Sequence, residues 1–261
     1  MKILVTGHKG FIGSHLYKNL KNDFIVDGYE YNNDFPNVEG YDWVVHAGAI
    51  SSTTESNVEL VFRQNYDFTI ELIQACNKHK VNLQYSSSAS VYGLLNSFSE
   101  SDPVDPRTPY AWSKYLIDHY TNKFVGDIII QGFRYFNVYG SNEDHKGSQA
   151  SPYTQFTKQA IENKVIKVFE NSENYLRDFV PVETIVDIHK KFFRVKESGV
   201  WNIGTGEVKS FLQVAEEVAK KYVAEIVTIP MPKKLENSYQ KFTKADLTKL
   251  NKTLEKYNEL G

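Results

Sequence analysis

A glycine turn at the start of the chain constrains the fold more than any other feature. Lys2–Thr6 (KILVT) is a short apolar run rich in β-branched residues, and Gly7-His8-Lys9-Gly10-Phe11-Ile12-Gly13 follows it directly. Phe11–Leu20 then carries apolar residues at helical spacing. Glycines between a strand and a helix allow a tight turn, close approach of a pyrophosphate to backbone N–H groups, and close helix–strand packing. Glycines also serve turns for conformational reasons alone, so the flanking strand and helix are what make the triplet informative. Gly7, Lys9, Gly10, Phe11, Ile12 and Gly13 are therefore candidate residues of a dinucleotide site.

The same rhythm continues. Phe24–Tyr29, Trp43–Val45, Leu83–Ser86 and Ile128–Phe133 read as strands, and Glu59–Cys76 and Tyr110–Phe124 carry helical periodicity between them. Strands alternating with helices predict an α/β fold: a Rossmann doubly wound parallel sheet with a small C-terminal substrate-binding lobe. Helices are expected at Pro152–Glu162, Val182–Phe193, Ser210–Tyr222 and from Thr243 onward, with strands at Val165–Phe169 and Val200–Ile203. Residues 1–140, joined by a returning segment near 180–206, make the expected dinucleotide-binding domain. Residues 141–261 make mainly the small lobe.

Composition excludes several classes. The 261 residues, 41% hydrophobic and 24% charged, suit an ordinary globular chain of one large domain or two small ones. A formal net charge of −2 argues against a nucleic-acid partner held through phosphates. Cys76 is the only cysteine, so no intramolecular disulfide or cysteine-rich metal site is expected. No apolar run approaches the ~20 residues of a membrane helix, and Met1–Gly7 lacks a signal-peptide pattern. A cytoplasmic protein is the expectation.

Two further motifs carry chemistry. An acid at the end of the second strand would grip the adenosine ribose; Glu30 is the first choice and Asp27 the reserve. A carboxylate there suits the free 2′-hydroxyl of NAD, whereas Lys9 in the glycine turn could meet the 2′-phosphate of NADP. Tyr110-Ala111-Trp112-Ser113-Lys114 places a phenol and an ammonium on one helical face. A nearby cation favours the phenolate, so Tyr110 can act as a base and Lys114 can support it. Ser88, closing the Ser86-Ser87-Ser88 run, could hydrogen-bond the hydroxyl that Tyr110 deprotonates.

Glycine turn, serine strand end and YxxxK in this order resemble the extended short-chain dehydrogenase/reductase family. Ala47-Gly48-Ala49, Ser87–Gly93 (SSASVYG) and Arg134–Gly140 (RYFNVYG) fit it too, so the likeness runs from Met1 to about Leu250. Within that family the chain is most similar to the epimerases that invert C6 of ADP-glycero-manno-heptose, a lipopolysaccharide precursor. Ser51–Glu55 (SSTTE), His145–Ser148 (HKGS), Phe169–Val180 (FENSENYLRDFV) and Tyr239–Leu247 (YQKFTKADL) carry this narrower likeness.

The resemblance implies an isomerase that oxidises the C6 hydroxyl to a ketone with tightly held NADP, NAD being the alternative. The ketone then turns and takes the hydride back on its other face. Two acid/base groups are needed, and the family pattern makes them Tyr110 and Lys146, with Lys114 and Ser88 in support. It implies cofactor contacts at Ala47, Gly48, Ala49 and Asn65 beside the glycine turn. It implies that Asn137 and Ser148 touch the sugar, that Phe169, Glu170, Asn171 and Ser172 line the nucleotide-sugar cleft, that Arg177 pairs with the diphosphate, and that Tyr239 closes the site. A homo-oligomer acting on an ADP-sugar, with no nucleic-acid, membrane or metal partner, is the expectation.

This chain departs from that pattern in three places. Only eleven residues separate Glu30 from Asp42, where the family carries a longer stretch with lysines that help hold the NADP phosphate. Gln155 stands where the family places a histidine, and the C-terminus is abbreviated. The rival readings are a GDP-sugar epimerase–reductase, which needs a catalytic cysteine and histidine; a UDP-hexose 4-epimerase; and a non-catalytic dinucleotide sensor.

Overall fold

Strand β1 (Lys2–Thr6) alternates as its sequence predicts: Ile3 and Val5 enter the core on one face of a sheet and Leu4 on the other. It is the organising strand of a computed structural model that describes residues 1–31, 34–232 and 240–258. Beside it lie β2 (Ile25–Tyr29), β3 (Trp43–His46), β4 (Asn82–Ser88), β5 (Ile130–Tyr135) and β10 (Gly199–Ile203). Their order across the sheet is β2-β1-β3-β4-β5-β10, and every pairing is parallel. The chain runs outward from β1 to β2, then returns to the other side of β1 with β3. The strand order thus reverses between β1 and β3, and ligands bind such sheets at the carboxyl ends beside that reversal.

Helices cover both faces. On one, α3 (Phe68–His79) and α4 (Pro109–Lys123) bury Leu72, Ile73, Cys76 and Ile117 against Leu4, Val44 and Leu83. On the other, α1 (Phe11–Leu20) and α6 (Val182–Phe192) bury Leu16, Leu20 and Val186 against Ile3, Val5 and Val45. The segment before α3 is continuous with it. The short α2 (Val58–Val61) passes into a wide π-type turn, Phe62–Asp67, before α3 begins. Such bulges are frequent at functional sites; the buried residue of this one is Asn65.

No helix lies among the described residues of the short connection after β2. Tyr31 and Phe35 instead pack their rings on Phe68, each 5.4 Å between centroids. The small lobe is built from α5 (Pro152–Asn163) and α7 (Phe211–Tyr222) over a parallel pair, β7 (Val165–Phe169) and β12 (Glu225–Ile229). Sequence reading did not anticipate β12. Minor strands β6 (Asn137–Tyr139), β8 (Leu176–Arg177), β9 (Phe179–Pro181), β11 (Lys209–Ser210) and β13 (Phe242–Thr243) stitch the lobe to the sheet.

Two expectations are corrected. The last helix, α8 (Thr248–Asn258), starts five residues later than expected, because Phe242–Thr243 pairs with β8 and Asp246 Oδ1 caps the Thr248 N–H at 2.9 Å. Moreover, α8 is no part of the small lobe: Leu250 and Leu254 pack with Phe133, Trp201 and Phe192 of the sheet and α6. No helix among the described residues is long and apolar enough to cross a membrane.

Candidate active site

The carboxyl ends of β1, β3, β4 and β5 converge on one groove, and the glycine turn makes its floor. Gly7 takes φ +70°, and a Cβ there would stand 2.4 Å from Gly48 Cα; one on Gly13 would stand 2.0 Å from the Gly7 carbonyl oxygen. Neither position has room for a side chain, because the turn, the β3 end and α1 are in direct backbone contact. Helix α1 begins at Gly10 with no side-chain cap, so its first-turn amides are left for an anionic ligand.

At one end of the groove, Gly7, Glu30, Gly48 and Ala49 line a cavity of about 200 Å³ with Tyr31, Gln64 and Phe68. Glu30 follows β2 directly, and its carboxylate accepts the Lys9 backbone N–H at 2.5 Å, with His8 Nδ1 3.3 Å away. Asp27, the reserve, accepts from the Tyr41 hydroxyl at 2.8 Å and pairs with Lys2 at 3.6 Å, outside the groove. The Lys9 side chain is exposed.

The groove continues into a cavity of about 460 Å³, where Gly10–Gly13, Ala47 and Ala49 face Tyr110, Lys114 and Lys146. Thr108 caps α4 by accepting from the Ala111 N–H at 3.1 Å, and Pro109 opens its first turn. That start places Tyr110 at the cavity and Lys114 one turn behind it. Lys114 Nζ donates to the Ser86 carbonyl at 2.8 Å and lies 5.8 Å from the Tyr110 ring centroid. Burial draws the Lys114 ammonium down to about 8, partly opposed by Asp118. Burial pushes the Tyr110 phenol above the usual tyrosine value, and its hydrogen bond with Ser88 pulls it back. Ser87 Oγ, on a residue 2% exposed that lines this cavity, has no hydrogen-bond partner among the described residues. A glycine floor without Cβ atoms, uncapped helix amides, an acid at the end of β2 and an unpartnered buried hydroxyl together fit a nicotinamide dinucleotide.

The cavity shares Tyr135 with a second one of about 500 Å³, lined by Ser88, Asn137, Arg177, Arg107 and Thr243. It shares Gln149 with a third of about 590 Å³, lined by Ser148, Gln155, Phe169, Ser172, Tyr175 and Phe211. Arg177 donates to the carbonyls of Leu176 and Gln240 while facing the second cavity. Glu170 and Asn171 are not brought in: both are exposed, because Asn171 turns the chain at φ +61°. Tyr239 lies outside the described residues.

Asn65 stands behind the groove rather than in it. It is 0% exposed; its Oδ1 accepts the Ile50 N–H at 2.8 Å, and its Nδ2 donates to the Ile50 carbonyl at 3.0 Å and to Ser113 Oγ at 3.1 Å. The π-type turn thereby clamps the Ala49–Ser52 wall. A neutral histidine braces the clamp. Thr69 Oγ1 gives its proton to the Asn65 carbonyl, so it accepts from His46 Nε2 at 2.9 Å, and His46 Nδ1 accepts from Thr6 Oγ1 at 2.6 Å. Burial, reinforced by the Lys114 charge, drives His46 down to about 3.

Sequence reading missed Tyr135, His145, Gln149 and Arg107, all of which line these cavities. Tyr135 sits inside the RYFNVYG run and His145 opens the HKGS run, so those motifs held the signal; Gln149 and Arg107 lie in neither. Cys76, the residue a GDP-sugar epimerase–reductase would need, is 0% exposed under the sheet, where burial pushes its thiol up to about 12. Among the described residues no group of three or more His, Cys, Asp or Glu could hold a metal ion.

The chain is similar to known proteins in sequence and in fold. Residues 29–204 match the profile of the NAD dependent epimerase/dehydratase family. The chain is 36% identical to an ADP-L-glycero-D-manno-heptose-6-epimerase of Brachyspira hyodysenteriae, over 95% of this chain and 90% of the relative. Its fold is similar to the ADP-L-glycero-D-manno-heptose-6-epimerase of Helicobacter pylori, with a TM-score of 0.87 at 26% identity over 98% of this chain and 90% of that one. It is also similar to the UDP-glucose 4-epimerase of Thermotoga maritima, with a TM-score of 0.86 at 25% identity over 98% and 93%.

Proposed function

The chain belongs to the NAD dependent epimerase/dehydratase family, and from that premise we propose that it is a nucleotide-sugar epimerase that inverts C6 of an ADP-glycero-manno-heptose. One observation carries the reading: Tyr110 from α4 and Lys146 from the 144–149 turn, two groups able to move a proton, line the same cavity at the glycine turn. An epimerisation through a ketone needs a proton-transfer group for each face of the carbon, and a one-face dehydrogenase needs only one.

A nicotinamide dinucleotide held by the glycine turn and Glu30 would supply the hydride acceptor and donor. The chain does the rest. Ser88 orients the sugar hydroxyl toward Tyr110, and Tyr110 removes its proton as the carbonyl forms. Lys114, held on the Ser86 carbonyl, places positive charge beside the phenolate that Tyr110 must provide. After the ketone turns, Lys146 gives its own proton to the oxygen now facing it, and proton exchange with solvent returns Tyr110 and Lys146 to their starting states. Asn137 and Arg177 hold the sugar and diphosphate in the second cavity, and Phe169 and Ser172 line the third, where the nucleotide lies.

For the cofactor, Glu30 supports NAD over NADP. Its carboxylate faces the ribose end of the groove, where a 2′-phosphate would meet negative charge, and the Lys9 side chain is exposed.

The test is incubation of purified protein with ADP-D-glycero-D-manno-heptose. The parent forms the 6-epimer, and Tyr110→Phe and Lys146→Met each lower kcat by about 10²-fold or more with little change in KM. Conversion of UDP-glucose instead of the heptose would replace the C6 reading with a hexose 4-epimerase.

A further inference from the structure

We propose that Glu143 is a positioning residue of this site: its buried carboxylate closes the loop that carries Lys146 and holds the Lys146 ammonium against the cofactor groove. This rests on Lys146 being the second proton-transfer group.

Glu143 is 1% exposed, yet five donors converge on it. Oε1 accepts from Ser151 Oγ at 2.7 Å, Thr154 Oγ1 at 3.0 Å and the Gly140 N–H at 3.2 Å. Oε2 accepts from the Ser151 N–H at 2.8 Å and from Lys146 Nζ at 3.2 Å. A carboxylate has about four lone-pair directions, so this one is fully used. Lys146 is the only charged member of the set, and a buried carboxylate requires such a partner.

The arrangement has two consequences. The amides of Gly140 and Ser151 tie both ends of the intervening loop to one side chain, so the loop is closed at its base. Within it Gly147 takes φ +53° with open space around it, and Lys146 precedes that turn with its side chain 21% exposed. A lysine head sits on a flexible four-carbon stem, and its proton is useful only when the head is held at the reacting oxygen. The ion pair on one side and the Phe11 ring, 5.0 Å from Nζ, on the other supply that constraint. Glu143 does not line the groove, so it acts through Lys146.

The test is a double-mutant cycle on kcat with the cofactor-loaded protein. Glu143→Gln keeps the side-chain size but sets an amide donor opposite Lys146 and the Ser151 N–H. Glu143→Gln is expected to lower kcat at least about tenfold, and the double variant with Lys146→Met to fall within about twofold of Lys146→Met alone. Losses that multiply in the double variant overturn the proposal, because Glu143 would then be supporting the fold independently of Lys146.

A second arm needs no sugar substrate. Limiting acetic anhydride labels Lys146 relative to Lys158, whose side chain is 70% exposed. The ratio is expected to rise severalfold in Glu143→Gln and to stay at the parental value in Thr154→Val, which cuts one loop tie and leaves the ion pair. No rise in Glu143→Gln, or an equal rise in Thr154→Val, overturns the proposal. If the parent does not turn over ADP-heptose, the functional reading fails on its own and the labelling arm alone decides the role of Glu143.

Discussion

Lys114 Nζ donates to the Ser86 carbonyl at 2.8 Å, across the interface between α4 and the end of β4. One bond therefore couples the YxxxK helix to the serine strand end, two motifs about twenty residues apart in the sequence. It also holds an ammonium group on a residue that is 2% exposed.

That burial sets a pH dependence. The folded-state value of Lys114, about 8, lies below the 10.5 of an ordinary lysine, so between these values the folded chain binds fewer protons than the unfolded one. Below pH 8 the burial of the charge costs about 3 kcal/mol, and the cost disappears as pH rises toward 10.5. The parent should gain stability relative to Lys114→Met across that window, measured by urea denaturation at several pH values. Turnover should fall as pH rises through about 8, because the cation beside Tyr110 is lost. A constant stability difference between parent and variant across the window would contradict the account.

A buried ion pair fixes the same face of that helix one turn further on. Arg134 Nε donates to Asp118 Oδ2 at 2.8 Å, with side chains 5% and 1% exposed, and Asp118 Oδ1 also accepts from the Tyr85 hydroxyl at 2.9 Å. Asp118→Asn leaves the guanidinium without its counter-charge and should destabilise the fold by about 3–5 kcal/mol. A loss below about 1 kcal/mol in equilibrium unfolding would show that water reaches Arg134.

The glycine floor makes a graded prediction. A Cβ on Gly13 meets the Gly7 carbonyl oxygen at 2.0 Å, while one on Gly10 meets it at 3.3 Å. Gly13→Ala must push α1 off the turn and should abolish retention of the nicotinamide cofactor through purification. Gly10→Ala should keep most of it. Equal retention in the two variants, read from absorbance of the released dinucleotide, would sink the argument.

Cofactor choice is expected to follow Glu30. Glu30→Ala removes the carboxylate from the ribose end of the groove and should raise NADP affinity relative to NAD by about tenfold, a change of ~1.4 kcal/mol. Titration of cofactor-free protein with both dinucleotides checks this. An unchanged ratio would place the discrimination elsewhere.

Where chemistry and local periodicity coincide, the sequence was sufficient. Strand β1, the glycine turn and α1 are contiguous, so one stretch of about twenty residues specifies the turn and the uncapped helix that follows it. Tyr110 and Lys114 share a helical face for the same reason. Misplacing the start of α8 had a nonlocal cause: Phe242–Thr243 pairs with β8, more than sixty residues earlier, and no helical pattern reports that pairing. Asn65 illustrates the same limit. Its place beside the groove was legible, yet its role as a clamp on Ile50 depends on the π-type turn and on the buried chain from Thr6 through His46 to Thr69.

The sequence by itself determined the parallel sheet, the glycine turn between β1 and α1, and the shared helical face of Tyr110 and Lys114, because each is written in short-range spacing that backbone geometry translates directly. Tertiary structure alone decided that the Asp27 carboxylate is taken by Tyr41 and Lys2 while Glu30 lines the cavity at the glycine turn, and that Tyr135 walls two cavities at once. It also decided that the Glu143 carboxylate anchors Lys146. Those outcomes rest on burial and on hydrogen bonds between distant segments, where the cost of an unpaired polar group selects one arrangement only after the chain has closed around it.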